Sequence, residues 1–164
     1  MSLIVAVNTF EGIVVAGDKR ITLSILSRDD KKLVNHFSST DHDEKVFLSK
    51  DHFSVQYCND ASINDIPVSK CVKNFLRKSS SFESPKELAL ALKKYLVSLG
   101  PTCKVSLLVS GYQKEKPSIY EIHTNDEIAK EWLDDKGFPC CICSGRSEVF
   151  SRFDEKYGLS LSSS

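Results

Sequence analysis

The chain begins with two apolar runs that a short polar break separates; residues 2–20 read SLIVAVNTFEGIVVAGDKR. The runs at residues 3–7 and 12–16 are rich in β-branched side chains, and such a pair predicts a hairpin whose two strands are both largely buried. Domains usually begin with a few loose polar residues, whereas this chain enters its core at once. Any fold must therefore hold the beginning of the chain inside a sheet.

Ser2 stands directly before the first predicted strand. If Met1 is removed, Ser2 carries both a hydroxyl and a free α-amine at the end of a rigid strand. A hydroxyl nucleophile whose own amine serves as base is one known route to acyl transfer. Ser2 could equally have no catalytic role, because removal of methionine favours any small second residue.

The hydrophobic period changes twice along the rest of the chain. Residues 45–49 and 53–58 predict a second hairpin, while the spacing over 63–77 and 84–99 predicts two helices. The second helix begins with the capping box Ser84-Pro85-Lys86-Glu87. Strand patterns return at residues 104–110, 118–122 and 138–143, residues 128–133 predict a short strand or a turn, and an amphipathic stretch follows at 148–157. This order predicts an α+β fold with two antiparallel sheets face to face and helices outside them.

Composition narrows the class of protein. At 164 residues we expect one domain over 1–164, with a polar surface loop at 27–44 and a serine-rich tail at 158–164. Because 22 basic residues balance 22 acidic ones, no overall field favours nucleic acid or an anionic membrane. The chain has neither a run of about 18 apolar residues nor the layout of a signal peptide, so we expect a cytoplasmic protein that does not enter a membrane.

The cysteines and histidines show no metal-ligand spacing. Cys140 and Cys143 form a C-x-x-C, but no second pair accompanies it, so we expect the six cysteines to be reduced thiols. The histidines are scattered over loops and strand ends, and we predict that they are surface residues: His36, His42, His52 and His123.

The first hairpin resembles the proteasome-like family of N-terminal nucleophile hydrolases, peptidase family T1. Ser2 stands where this family begins its mature chain with Thr, and Gly12 stands at the turn. Ala16-Gly17-Asp18, followed by Arg20, matches the end of the family's second strand. Asp18 lies sixteen residues after Ser2, which is the family's distance between its nucleophile and its first acidic residue.

Later segments resemble the same family in the same order. Lys45-Val46-Phe47 is similar to the start of the family's second hairpin, and LLVSGY with SIYEI is similar to its central hairpin. Cys143-Ser144-Gly145 resembles the Gly-Ser-Gly that precedes the family's third major helix. The resemblance extends from Ser2 to about residue 153.

The resemblance implies a four-layer αββα sandwich and hydrolysis of a peptide or amide bond through an acyl-Ser2 intermediate. Lys45 would lower the pKa of the α-amine that acts as base, and Asp18 would hold Lys45 charged. Ser144 would form a hydrogen bond near that amine. Asn59 stands where the family has the Gly whose backbone N–H stabilises the oxyanion. No metal or organic cofactor is implied.

The family continues with a further helix and strands, whereas this chain ends at Ser164. The resemblance thus implies a sandwich truncated at its C-terminus, with an open sheet edge that favours pairing with another chain. We expect a homo-oligomer, formed through helix faces or that edge, which acts on a peptide or protein substrate. Two alternatives stay open: a catalytically inactive structural subunit of such an assembly, and an unrelated α+β interaction module.

Each candidate residue also has a structural interpretation. Asp18 could simply end a strand, Lys45 could be a solvated charge at a sheet edge, and Ser144 could belong to a turn. The structure decides how close these side chains lie to one another and to the beginning of the chain.

Overall fold

The computed structural model describes residues 3–26, 33–40, 42–126, 129–133 and 140–145, with the backbone alone for residues 21–39. These residues form, in chain order, β1 (Leu3–Asn8), β2 (Ile13–Gly17), β3 (Ile21–Leu26), β4 (Leu33–Thr40), β5 (Val46–Leu48), β6 (Ser54–Asn59), β7 (Ser62–Ile63), β8 (Ile66–Pro67), α1 (Val68–Lys78), α2 (Pro85–Leu99), β9 (Val105–Gln113), β10 (Lys116–His123), β11 (Lys130–Glu131) and β12 (Cys140–Gly145).

Two antiparallel sheets carry the fold. The front sheet has the strand order β12-β1-β2, and the back sheet has the order β11-β10-β9-β6-β5. Strands β3 and β4 pair as a separate ribbon, as do the two-residue strands β7 and β8. The first and last strands of the described chain are therefore neighbours, since β12 pairs with β1 along its whole length.

Strand β9 runs through the middle of the back sheet and is buried on both faces. Leu107 belongs to the apolar cluster that the back sheet forms with α1 and α2. Leu108, the next residue, belongs to the cluster between the two sheets. Because successive side chains of a strand point to opposite faces, the continuous apolar run of β9 serves two cores at once. The back sheet thus lies between the helices and the front sheet.

The predicted four-layer αββα sandwich is wrong for this structure. The described chain is mostly β-sheet with two helices, and both pack on the back sheet. In the described ranges no helix covers the outer face of the front sheet, where Val14 is 62% exposed. The predicted helix at 148–157 lies outside the described residues.

Burial in the first hairpin alternates, which corrects the prediction that both strands are largely buried. Ile4 and Ala6 are fully buried against the back sheet, while Val5 and Val7 are only half-buried and Val14 is exposed. A β-branched run can therefore cover one face of a sheet without the other being covered. The runs did predict the strands, but they could not indicate how many layers flank them.

Two local predictions have clear outcomes. The N-cap of α2 is confirmed, because the Ser84 side chain accepts a hydrogen bond from Glu87 N at 3.2 Å. The Glu87 carboxylate accepts one from Glu83 N at 3.0 Å, one residue before the N-cap nitrogen that completes a capping box. The polar segment 27–44, predicted as a loop, contains strand β4, which pairs antiparallel with β3. Neither α1 nor α2 is long and apolar enough to cross a membrane.

Candidate functional site

The first candidate feature is the contact between the beginning of β1 and the residue that follows β2. Leu3 N donates to Asp18 Oδ1 at 3.1 Å, and Asp18 N donates to Leu3 O at 3.0 Å. Asp18 therefore holds the backbone of Leu3 through both its side chain and its main chain. Ser2, the predicted nucleophile, is covalently attached to Leu3 but lies outside the described residues.

Lys45 lies beside Asp18. Lys45 Nζ is 2.7 Å from Asp18 Oδ1 and also donates to the backbone carbonyl of Arg20 at 2.6 Å. The side chain of Lys45 is only 2% exposed, whereas that of Asp18 is 34% exposed. Burying an ammonium is costly unless it is paired and hydrogen-bonded, and these two acceptors meet that requirement. The structure thus brings two of the predicted residues together at the beginning of the chain.

Ser144 lies on β12, where its register partner is Ile4 of β1. Its hydroxyl is within 3.5 Å of the Cys58 thiol, which donates to it. Burial raises the pKa of the Cys58 thiol, so this group keeps its proton at neutral pH. After burial, the smaller influences on the pKa of this thiol include the negative charge of Glu121, which raises it, and the positive charge of Lys45, which lowers it.

Asn59, the predicted oxyanion residue, ends β6 and follows Cys58. Its φ of 77° lies in the left-handed region, which Asn adopts more readily than most residues. The backbone here has the conformation for which glycine is the usual choice. The Asn59 side chain turns inward, and its Nδ2 donates to Ser106 Oγ at 2.7 Å. The oxyanion role of its backbone N–H stays a prediction.

A polar group that the sequence analysis missed lies next to Asn59. Ser106 Oγ is 2.6 Å from His123 Nδ1, and His123 Nε2 is 3.6 Å from Glu121 Oε1 and 4.0 Å from Asp126 Oδ2. His123, predicted to be a surface residue, belongs to this group and keeps 35% of its side chain exposed. The alternation of side chains along β10 could have indicated this group, since Glu121 and His123 share a face with Ile119 of the inter-sheet core.

These side chains line a cavity of about 440 Å³ at the end of the inter-sheet core. Its lining residues are Asn59, Lys104, Ser106, Glu121, His123, Asn125, Asp126, Cys143, Ser144 and Gly145. Gly145 is the register partner of Leu3, so the cavity lies beside the beginning of β1. A second cavity, of about 330 Å³, includes Gly17 and Lys45 in its lining and opens near the Asp18–Lys45 pair.

The order serine, histidine, carboxylate in the larger cavity invites comparison with a catalytic triad. Ser106, however, is 1% exposed and its oxygen already accepts a hydrogen bond from Asn59. Both carboxylates lie beyond hydrogen-bonding distance of His123 Nε2. We therefore interpret Ser106 and His123 as the polar floor of the cavity and not as a nucleophile and its base.

No metal site emerges from the described side chains, which include no group of three or more His, Cys, Asp or Glu arranged to hold an ion. In the C-x-x-C of β12, Cys140 shares the inner face with Ile142, and Cys143 lies on the opposite face. An odd separation along a strand puts two side chains on opposite sides of the sheet. The two thiols cannot ligate one ion from those positions.

Comparisons with known proteins show which fold the chain resembles, but they assign it to no family. No protein-family model matches the chain, and no curated protein matches it. Among solved structures, a Gly-1 mutant of Anbu from Hyphomicrobium sp. strain MC1 has a TM-score of 0.63 and 15% sequence identity, covering 99% of this chain and 67% of that one. Anbu (ancestral beta-subunit) from Yersinia bercovieri has a TM-score of 0.62 and 17% identity, covering 94% and 65%.

These structures correct the family to which the sequence was compared. They are Anbu proteins, a proteasome-like group, and at 15–17% identity they supply no support for membership in peptidase family T1. The chain spans about two thirds of their length. It is therefore similar in fold to the proteasome-like Anbu proteins over that part.

Proposed function

We propose that this chain is a proteasome-like subunit that hydrolyses a peptide or amide bond, with Ser2 as nucleophile after removal of Met1. The observation that carries the proposal is the buried Lys45 ammonium, which pairs with the same Asp18 carboxylate that binds Leu3 N. A positive charge beside Leu3 favours the neutral, basic form of the α-amine of Ser2, the residue that precedes Leu3. The likeness in fold to Anbu, an ancestral beta-subunit, supports a subunit role.

The proposed reaction has two steps. Ser2 Oγ attacks the carbonyl carbon while the α-amine takes the hydroxyl proton and passes it to the departing amine, which leaves an ester on Ser2. Water then attacks the ester, releases the carboxylic acid and restores the hydroxyl. The left-handed turn at Asn59 supports a backbone donor for the oxyanion beside this position.

The test compares four proteins on a panel of fluorogenic peptides, after intact mass has shown that Met1 is absent. Ser2→Ala should abolish hydrolysis, whereas Ser2→Thr should retain it, because threonine keeps both the hydroxyl and the α-amine. Ser62→Ala, on exposed strand β7, is the matched control and should leave hydrolysis unchanged. Equal turnover by the Ser2→Ala protein and the unmodified chain would exclude Ser2 as the nucleophile.

The exposed apolar surface favours a second candidate, a structural subunit that associates with copies of itself. Phe10 is 88% exposed in the β1–β2 turn, Val14 is 62% exposed on β2 and Leu48 is 66% exposed on β5. Apolar side chains this exposed on neighbouring edge strands are typical of a covered surface. Light scattering at micromolar concentration should show an oligomer that Val14→Lys dissociates; a monomeric unmodified chain would contradict the idea.

A further inference from the structure

Tyr57 is a buried residue of β6 that the proposed reaction does not use. It is 1% exposed and belongs to the core between the back sheet and the helices, where its ring stacks on that of Phe47 with the centroids 6.2 Å apart. Its hydroxyl donates a hydrogen bond to Asp43 Oδ2. Burying a hydroxyl is unfavourable unless it has a hydrogen-bond partner, and Asp43 supplies one.

Asp43 belongs to the short segment that leads into β5 and contains Lys45. Asp43 N donates to the backbone carbonyl of Lys19 at 3.0 Å, and Lys45 O accepts a hydrogen bond from Tyr57 N at 3.3 Å. The backbone of this segment is thus joined both to the residues that follow β2 and to β6. The Tyr57 hydroxyl adds a side-chain contact to the same segment from inside the core.

Tyr57 is a permanent donor in this contact. Burial, and after it the hydrogen bond and the negative charge of Asp43, raises the pKa of Tyr57 well above its ordinary value, whereas hydrogen bonds with Ser69 act in the opposite direction. Tyr57 therefore keeps its proton throughout the neutral range. Because a hydrogen bond to a carboxylate is stronger than one between neutral groups, this contact restrains Asp43 firmly.

We propose that Tyr57 is a positioning residue for Lys45: its hydrogen bond to Asp43 fixes the segment before β5, so that the Lys45 ammonium stays against Asp18. Lys45 Nζ lies 2.7 Å from Asp18 Oδ1 and 2.6 Å from Arg20 O, and such short contacts tolerate little displacement of the backbone that carries Lys45. The importance of Lys45 for hydrolysis rests on the proposed function, whereas its placement by Tyr57 does not.

Packing alone does not account for the hydroxyl of Tyr57. Phenylalanine would fill the same space and keep the stacking on Phe47, because the two side chains differ only by the oxygen atom. What the hydroxyl adds is its hydrogen bonding, in which Asp43 is the acceptor. Tyr57→Phe therefore removes this contact and leaves the apolar core in place.

The test measures how strongly Asp18 and Lys45 are coupled with and without the hydroxyl. Urea unfolding of Asp18→Asn, Lys45→Met and the double variant gives the coupling, and the same cycle is repeated in the Tyr57→Phe background. We expect the coupling, expressed as a ratio of unfolding constants, to fall by about threefold or more, toward that of an exposed pair. This readout requires neither hydrolysis nor the removal of Met1.

Two variants of Asp43 and a matched control assign the effect. Asp43→Asn keeps an oxygen that can accept from Tyr57 and should retain most of the coupling, whereas Asp43→Ala should lower it as much as Tyr57→Phe does. The control is Tyr120→Phe, which removes another buried hydroxyl, one that contacts Glu131 on a strand separated from β6 by β9. It should cost stability but leave the coupling unchanged.

A second readout connects the placement of Lys45 to the proposed chemistry. If the Lys45 ammonium moves away, the pKa of the Ser2 α-amine rises, because a nearby positive charge no longer favours the neutral amine. The acid limb of kcat/KM for peptide hydrolysis should then shift to higher pH, by about half a unit or more in Tyr57→Phe. The loss of stability in Tyr120→Phe should not move this limb.

An unchanged coupling between Asp18 and Lys45 in Tyr57→Phe, or an equal fall in Tyr120→Phe, would overturn the inference. Should Tyr57→Phe not fold, the two Asp43 variants decide the question, and equal coupling in both would contradict the proposal. A reduced coupling in a chain that hydrolyses no peptide would refute the hydrolase and leave Tyr57 as the residue that positions Lys45.

Discussion

Replacing Lys45 by Met removes the charge from the Asp18–Lys45 pair and keeps most of the buried volume. At the observed 2.7 Å, two unit charges attract by about 1.5 kcal/mol in water and by about 6 kcal/mol at an effective dielectric constant of 20. Desolvation of the buried Lys45 offsets much of this attraction, and the 34% exposure of Asp18 favours the lower figure. We therefore expect a coupling energy of about 2 kcal/mol.

A double-mutant cycle isolates that coupling. Asp18→Asn keeps an oxygen that can accept from Leu3 N but removes the charge, so Lys45→Met, Asp18→Asn and the double variant complete the cycle. Urea unfolding at pH 7, followed by far-ultraviolet circular dichroism, gives the free energy of unfolding of each protein. Lys45→Met should lose about 2–3 kcal/mol, because the Arg20 carbonyl also loses its donor.

The chain provides a matched control on its surface. Lys73 Nζ lies 2.6 Å from Glu44 Oε2, but these side chains are 57% and 53% exposed. An exposed pair of this kind contributes about 0–1 kcal/mol. If the Lys45–Asp18 cycle gave the same coupling as the Lys73–Glu44 cycle, the claim that burial makes the first pair special would be refuted.

Three further predictions concern the fold around the site. Ser84→Ala should cost about 1 kcal/mol of unfolding free energy in urea, because α2 loses its cap, whereas Ser81→Ala on the preceding loop should cost almost nothing; equal losses would contradict the cap. Gly111→Ala should destabilise by about 1–3 kcal/mol, since a Cβ there would lie 2.5 Å from Phe53 Cδ1; an unchanged urea midpoint would contradict that packing. Burial raises the pKa of Cys143 to about 11, so the unfolded thiol ionises first and stability should fall as pH rises from about 9 to about 11; Cys143→Ser should reduce that slope, and an identical pH profile would refute the assignment.

The family resemblance, and not the spacing of the residues, implied that Asp18 and Lys45 lie together. Asp18 follows β2 and Lys45 precedes β5, and the structure places the two side chains 2.7 Å apart. The N-cap at Ser84 was predicted from the local sequence, because a few adjacent residues contain its donor and acceptor. A local feature of that kind requires no knowledge of what packs on the other side of a sheet.

What the sequence did not predict depends on distant partners. The apolar residues of the first hairpin indicated burial, but whether a helix covers the outer face of Val14 is decided by other segments of the chain. Glu121 and His123 were missed because each has its partners on other strands or in the following loop: Ser106 on β9 and Trp132 after β11. The signal that could have indicated this polar group was a carboxylate, that of Glu121, within a buried strand.

Covalent labelling of the mature protein tests the central claim most directly. The protein, with Met1 shown to be absent by intact mass, is incubated with a β-lactone that acylates N-terminal nucleophiles, digested and examined by mass spectrometry. We predict a single adduct on the peptide that begins with Ser2, and its loss in Ser2→Ala. An unlabelled N-terminal peptide, or an adduct that persists in Ser2→Ala, would contradict the account.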